Sequence, residues 1–331
     1  MIFNSVLDLV GETPVVHLPM PELDNINVFA KLEYANPTGS IKDRAAAYIL
    51  RNILKDQTIN RETTIIESSS GNFGIALSSV CRSLGLKFIC VIDPCISPAN
   101  EFLIRSFGAT VVKVQQEDEY GGYLLTRLEK VRELQSTIPN SYWVNQYGNP
   151  LNARTYYESL GQEIHREFET LGLDYIFLGV SSGGTIAGLS RKLKEKFPNI
   201  AVVAVDVEGS VIFGNKPKKR RIPGIGSSMV PSILKYAQID DVVIVNEQET
   251  VSACREMLSD NFIFAGGSSG SVYAGMRKYF ATHRALYTCN ALCILPDRGE
   301  RYLHTIYNDH WGIEISERRV AEPAGEKDTH L

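Results

Sequence analysis

The stretch Lys31-Leu-Glu33-Tyr-Ala-Asn36-Pro37-Thr38-Gly39-Ser40-Ile-Lys42-Asp43-Arg44 puts a lysine where a helix is expected to begin. Aligned peptide dipoles make a helix start positive, so an ammonium ion there is disfavoured. An amine placed against that gradient suits covalent work, and a Schiff base with a carbonyl compound is such work. A surface lysine beside Asp43 is the plainer alternative, and position alone leaves both open. Three Gly/Ser turns have similar placing: the one ending at Ser40, then Ser68-Ser69-Ser70-Gly71-Asn72, then Ser181-Ser182-Gly183-Gly184-Thr185. A helix start offers free N–H groups to phosphate or carboxylate, and glycine lets the backbone approach. The third turn adds three hydroxyls and is the best phosphate cradle. Any one turn could be a tight connection without a ligand, but three in one chain point to a binding site.

The elements around these turns repeat one unit, an apolar strand, a turn, then a segment of helical period. Strands are expected at 28–33, 63–67, 88–92, 110–114, 175–180, 201–207, 242–245 and 292–295. Helices are expected from Ser40, from Asn72 through Leu84, near 98–107 and after Thr185. In the first of these, apolar residues at 41, 45, 49 and 53 share one face, and Ser40 with Asp43 has capping-box spacing. Strand–helix alternation implies a parallel α/β sheet, with ligands at the carboxyl ends of the strands. Residues 209–231, rich in Gly, Pro and charge and containing Lys216, Lys218, Lys219, Arg220 and Arg221, are expected to form a loop excursion. The polar residues 317–331 are expected to fray.

The 331 residues suggest about two domains or lobes. A net charge of −4 gives no general attraction to nucleic acid or an anionic membrane, and no apolar run is long enough to span a bilayer. The first residues lack a basic, apolar leader, so the cytoplasm is expected. Cys81, Cys90, Cys95, Cys254, Cys289 and Cys293 form no C-x-x-C pair and are expected to be buried and reduced; the six histidines are scattered, so no metal site is expected.

The run N-P-x-G-S-x-K-D-R resembles the cysteine synthase/cystathionine β-synthase family of pyridoxal 5'-phosphate (PLP) enzymes of fold type II. Further matching phrases are Thr13-Pro14, Ser70-Gly71-Asn72, Asn145-Gln146-Tyr147-Gly148-Asn149-Pro150, Gly183-Gly184-Thr185, Gly224-Ile225-Gly226, Gly267-Ser268-Ser269-Gly270 and Leu295-Pro296. The resemblance implies two three-layer α/β/α lobes with open, mostly parallel twisted sheets: a larger PLP-binding lobe (1–35 and 146–310), a smaller mobile lobe (36–145) and a tail (311–331). It implies that Lys42 carries PLP as a Schiff base and moves the substrate's α-proton. Asn72 would bond the cofactor's 3′-oxygen, Ser181, Ser182, Gly183, Gly184 and Thr185 its phosphate, and Ser268 its ring nitrogen. Ser69, Ser70, Gly71 and Gln146 would bind the substrate carboxylate. A neutral serine at the ring nitrogen, unlike an acid, is not expected to stabilise a pyridinium. Ser268 could also cap a helix.

Three departures stand out: Phe73 where a hydroxyl is common, Ser181 where glycine is common, and Tyr156 near a usual histidine. The chain resembles a narrower branch, the N-(2-amino-2-carboxyethyl)-L-glutamate synthases of 2,3-diaminopropionate and siderophore biosynthesis, in residues 121–127, 209–214 and 296–303. This implies β-replacement through an aminoacrylate, with O-phospho-L-serine as donor and L-glutamate as acceptor. A homodimer and an NAD-dependent dehydrogenase as pathway partner are also implied. Arg127 is a candidate for a substrate anion or else an exposed helix arginine paired with an acid such as Glu129; Tyr147 could shape the site or merely pack. Cysteine synthase or cystathionine β-synthase activity, on O-phosphoserine, O-acetylserine or serine, is the alternative reading. A non-catalytic anion-binding protein is the alternative of another class.

Overall fold

The computed structural model describes residues 2–119 and 121–311. The chain opens with β1 (Val15–Leu18), β2 (Ile26–Leu32) and α1 (Lys42–Lys55). It then builds a small sheet through β3 (Thr64–Ser68), α2 (Asn72–Leu84), β4 (Lys87–Ile92), α3 (Pro98–Ser106), β5 (Thr110–Lys113), α4 (Leu124–Thr137) and β6 (Ser141–Trp143). Helices α5 (Pro150–Glu158) and α6 (Leu160–Phe168) lead back to the larger sheet. That sheet is completed by β7 (Tyr175–Gly179), α7 (Gly184–Lys196), β8 (Ala201–Val207), β9 (Asp241–Val245), α8 (Glu247–Asn261), α9 (Gly267–Thr282) and β10 (Cys289–Leu295). The large sheet has the order β1-β2-β10-β7-β8-β9 and the small one β5-β4-β3-β6. Among the described strands only β1 with β2 is antiparallel. The expected α/β architecture with two lobes and mostly parallel sheets is therefore observed.

Side-chain alternation explains how both sheets are covered on two faces. Ile176, Leu178, Val202, Ala204, Leu292 and Ile294 face one core with residues of α1, α5, α6 and α7. Phe177, Val203, Val205, Ala291, Cys293 and Leu295 face the other, with residues of α8 and α9. In the small sheet, Ile65, Phe88 and Ile92 point toward α1 and α2, while Ile66 and Val91 meet Val131 of α4. The expected strands lie within a residue or two of those observed, except that β10 starts three residues earlier than expected. Residues 209–231 contain no helix or strand, as expected for an excursion. Residues 312–331, which hold nearly all of the expected tail, lie outside the described residues.

Two local expectations need correction. Ser40 and Asp43 form no capping box: α1 starts at Lys42 without a side-chain cap, and the Asp43 carboxylate instead accepts from the backbone N–H and hydroxyl of Thr38, tightening the turn ahead of Lys42. Five cysteines are buried, but Cys95 is exposed, because it lies in the turn between β4 and α3 rather than on a packed face.

Beneath α1 lies a buried ion cluster. Arg44 grips Glu33 through Nε (2.6 Å) and Nη2 (2.8 Å), and Glu163 of α6 through Nη1 (2.6 Å) and Nη2 (2.7 Å). Lys31 of β2 adds contacts to Glu167 at 2.6 Å and Glu163 at 3.3 Å. Burial alone would raise the Glu163 pKa, but the hydrogen bonds and charge of Arg44, with help from Lys31, win and hold it at about 2. Replacing Arg44 by Met should destabilise the fold by about 3–5 kcal/mol in urea titrations at neutral pH, because two carboxylates lose their partner inside the protein. In the unchanged protein the contribution of Glu163 is complete above the ordinary glutamate range and disappears as pH falls through about 2. Unaltered urea midpoints for Arg44→Met would show that the cluster does not hold the lobe.

Candidate active site

A cavity of about 340 Å³ opens at the carboxyl ends of β3, β4, β6, β7 and β10. It is lined by Lys42, Ser69, Ser70, Gly71, Asn72, Arg127, Gln146, Tyr147, Ser181, Ser182, Gly183, Thr185 and Ser268. The candidate residues thus converge, save Gly184. A Cβ on Gly184 would come 2.4 Å from Asn152 Oδ1, so its missing side chain is a requirement of packing on α5.

The Ser181–Thr185 turn has the form of an anion cradle. Gly183 sits at φ +82°, a conformation that favours glycine, and starts α7 with no side-chain cap. Among the described residues, no protein acceptor meets the N–H groups of residues 183–186. The expected set of three hydroxyl donors is reduced in one respect. Ser181 Oγ donates to the Gly226 carbonyl at 3.1 Å, which commits its proton to holding the excursion in place.

At the second turn, α2 starts after Gly71, again without a side-chain cap. Ser69 Oγ accepts from Gly74 N at 2.9 Å, leaving the N–H groups of Asn72 and Phe73 without a protein acceptor among the described residues. Ser70 Oγ is fully engaged: it donates to Asp93 Oδ2 at 2.7 Å and accepts from Asp93 N and Arg127 Nη1. Ser68 Oγ and Asn100 Oδ1 line the cavity and are buried without a partner, so the wall has polar atoms for a ligand to satisfy.

Gln146 is positioned by Glu67. The Glu67 carboxylate accepts from Gln146 N at 3.1 Å, Ser68 N at 2.7 Å and Trp143 Nε1 at 3.2 Å. Burial pushes Glu67 up to about 7 against these bonds. Arg127 is mostly buried rather than exposed, and the acid it pairs with is Asp93, not Glu129. It stands in the first turn of α4, with Nε 3.3 Å from Asp93 Oδ2 and Nη1 3.1 Å from Ser70 Oγ. Tyr147 lines the wall, and burial raises its phenol pKa. Tyr156 lies in the core, its hydroxyl donating to the Ile41 carbonyl at 3.5 Å.

The Lys42 amine has no hydrogen-bond partner among the described residues. Burial lowers its pKa to about 8, opposed by the charge of Asp297. Asp297 is a site residue that the sequence reading passed over. It is fully buried, and its carboxylate accepts from Asn72 Nδ2 (2.9 Å), Tyr302 Oη (2.6 Å) and Ser268 Oγ (3.1 Å). Arg301 donates to Asn72 Oδ1 and to the Thr38 carbonyl. The Asn72 amide is therefore fixed from both ends. Ser268 is not a helix cap, since α9 has Gly266 at that position without a side-chain bond. Arg221 and Arg301 also line the cavity. Asp297 and Arg301 stand in the phrase at 296–303 that carried the narrower resemblance, which was the available signal for them.

These residues fit PLP. A buried amine with a lowered pKa, an uncapped glycine turn for a phosphate, an oriented amide and a serine hydroxyl share one cavity. In cofactor-free protein, the labelling of Lys42 by an amine-reactive reagent, followed by peptide mass spectrometry, should titrate near 8. Asp297→Asn should lower that midpoint, because the carboxylate favours the ammonium form. A midpoint in the ordinary lysine range above 10 would reject the geometry's reading of Lys42.

The structure resembles that of an O-acetylserine dependent cystathionine beta-synthase from Helicobacter pylori, with a TM-score of 0.87 and 34% identity over 93% of this chain and 100% of that one. A hydrogen sulfide-producing enzyme from Fusobacterium nucleatum matches with a TM-score of 0.84 and 28% identity, over 91% and 100% of the two chains. An O-ureido-L-serine synthase matches with a TM-score of 0.84 and 29% identity, over 97% and 100%. Residues 6–295 match the family described as pyridoxal-phosphate dependent enzyme, and the chain belongs to that family.

Proposed function

We propose that the chain joins O-phospho-L-serine and L-glutamate by β-replacement, giving N-(2-amino-2-carboxyethyl)-L-glutamate and phosphate. The observation that carries this reading is Arg127, pinned by Asp93 and Ser70 at the wall of the cavity, beside the start of α2. A phosphate ester brings a charge that the uncharged acetyl or ureido group of the relatives' named compounds does not, and it needs a cationic partner. Among the described residues, Arg127 Nη2 has no hydrogen bond and remains available. Arg221 and Arg301 line the same cavity, which suits an acceptor with two carboxylates.

When bound, PLP supplies the electron sink that lets a proton leave Cα and a phosphate leave Cβ. The chain's residues do the rest. The turn at 181–185 and the start of α7 hold the cofactor's phosphate, Asn72 meets its 3′-oxygen and Ser268 its ring nitrogen. The free N–H groups at the start of α2, in the Ser69–Asn72 turn, hold the donor's carboxylate with Gln146, and Arg127 holds its phosphate. The Lys42 amine takes the α-proton and returns it after the glutamate nitrogen has added at Cβ. Residues 36–145 act as the mobile lobe, and its closure keeps water from the reacting carbon. Phe73, with its side chain buried in the core, stands at the cavity wall where common relatives have a hydroxyl.

A homodimer is part of the proposal, as is an NAD-dependent dehydrogenase that oxidises the product toward 2,3-diaminopropionate for siderophore-like products. The 34% identity to the O-acetylserine dependent cystathionine beta-synthase favours a second reading, with a thiol as acceptor.

Purified protein given phosphoserine with glutamate, sulfide or homocysteine should release phosphate fastest with glutamate and form its adduct by mass spectrometry; preference for either sulfur acceptor would reject the glutamate reading. Lys42→Ala should abolish turnover and leave the fold intact by circular dichroism. Arg127→Met should lower kcat/KM for phosphoserine roughly 10- to 150-fold, the loss of one charge-assisted contact, while affecting O-acetylserine less. Equal loss with both donors would assign Arg127 to the scaffold.

A further inference from the structure

The excursion that follows β8 carries a basic run whose members are placed differently. Lys216, Lys218 and Lys219 are exposed. Arg220 is committed to the loop itself: Nη1 donates to the carbonyls of Gly209 (2.7 Å) and Ser227 (3.2 Å), and Nη2 to Ser228 Oγ (3.2 Å), so the two ends of the excursion are tied together. The backbone N–H of Arg221 donates to the Glu247 carboxylate at the start of α8. Its neighbour Ile222 packs against the start of α9, where a Cβ on Gly267 would come 2.3 Å from Ile222 Cγ2. The main chain at Arg221 is thus held on both sides. Its guanidinium, however, makes no hydrogen bond or ion pair among the described residues. The side chain is half-buried and lines the cavity. A fixed fork of N–H donors without an acceptor, at the wall of a cavity, suits an anion brought by a ligand.

The arginines of the cavity are not equivalent. Arg301 gives Nη1 to Asn72 and Nη2 to the Thr38 carbonyl. Arg127 reaches the cavity from α4 on the small sheet, set against Asp93 and Ser70. Arg221 reaches it from the large sheet's side, on a segment that runs past Ser268: a Cβ on Gly224 would come 3.7 Å from Ser268 Oγ. Phosphoserine brings a carboxylate and a phosphate, which fall to the start of α2 and to Arg127. Glutamate brings one carboxylate on the carbon that bears the reacting nitrogen and another two methylene groups further out. The first must follow the nitrogen to the reacting centre, while the second is free to extend toward the rim. Arg221 lies toward the rim, since Lys219, Pro223 and Gly224 around it are exposed. We propose that Arg221 is a specificity-determining residue that binds the side-chain carboxylate of the glutamate acceptor. This rests on the glutamate reading given under the proposed function. An acceptor with an amide in that place forgoes the charge-assisted, bidentate pair.

The test is the steady-state kinetics of the holoenzyme with phosphoserine and either glutamate or glutamine, which differ only in that distal group. In a ping-pong scheme kcat/KM for each substrate reports its own half of the reaction. Arg221→Met should lower kcat/KM for glutamate roughly 10- to 150-fold and that for phosphoserine far less, and should bring glutamate down toward the level of glutamine. Arg221→Lys keeps the charge but not the fork, and should recover part of the loss. Because the guanidinium has no partner in the protein, both variants should keep the wild-type circular dichroism. An equal loss for glutamate and glutamine would overturn the inference, since the arginine would then serve the carboxylate they share or the scaffold. A loss confined to phosphoserine would overturn it by giving Arg221 to the donor, and so would no loss at all. In each of these cases wild-type addition of glutamate leaves the acceptor reading standing. A wild type that prefers sulfide or homocysteine to glutamate would overturn that reading and this inference with it.

Discussion

The short segment that leaves β10 is the interaction on which the site depends. Pro296 O accepts from Ile41 N at 2.8 Å, one residue before Lys42, and Arg298 N donates to Gly39 O at 3.3 Å. On its other edge, Asp297 O accepts from Gly266 N at 2.8 Å and Gly299 N donates to Phe264 O at 3.0 Å, just ahead of Ser268. A few backbone bonds thus tie the amine-bearing loop to the serine-bearing loop. The Asp297 side chain, on the same segment, ties both to Asn72. Catalytic groups must be held to within a fraction of an ångström to be useful, and backbone pairing is stiffer than side-chain contact.

The electrostatics are organised locally. A chain with net charge −4 can still gather anions, because uncapped helix starts at α2 and α7 present N–H groups and arginines line the wall between them. Two buried carboxylates, Glu67 and Asp297, stand behind that wall and hold groups that touch the cavity. The ion cluster around Arg44 serves a different purpose: it joins β2, α1 and α6 beneath the lysine-bearing helix, where neutral packing would fix direction less strictly.

Much of the site was legible because its parts are local patterns. A strand, a glycine-rich turn and a helix start can be read from adjacent residues, and so the turns ahead of Lys42, at 68–72 and at 181–185 stood out, while the roles of Lys42, Asn72 and Ser268 came from the family resemblance. The parallel strands were legible from their apolar runs, whereas β1 and β6, short and only half covered, were not. Partnerships across long separations left no local trace. Asn72 and Asp297 are 225 residues apart, and nothing in either neighbourhood specifies the bond between them. Asp43 shows the opposite failure: the spacing to Ser40 was right for a cap, but Thr38 offered its carboxylate two donors at shorter reach. Arg127 is buried beside Ser70 and paired with Asp93, contacts that its own stretch of helix does not announce.

The pairing of β10 with β2 also bears on how the molecule comes into being. Residues 26–32 form their parallel ladder with residues 289–295, across nearly the whole of the intervening chain. At about 5–20 residues per second, a ribosome needs roughly 13–50 s to advance the 263 positions that separate the paired residues. During that interval β2 has only the short β1 as a partner, and Lys42 has no Asp297. A nascent chain can therefore complete the small sheet well before it can hold a cofactor. Loading is confined to the last moments of synthesis or after it, and a chain truncated before β10 leaves an unsealed sheet edge for chaperones or proteases to find.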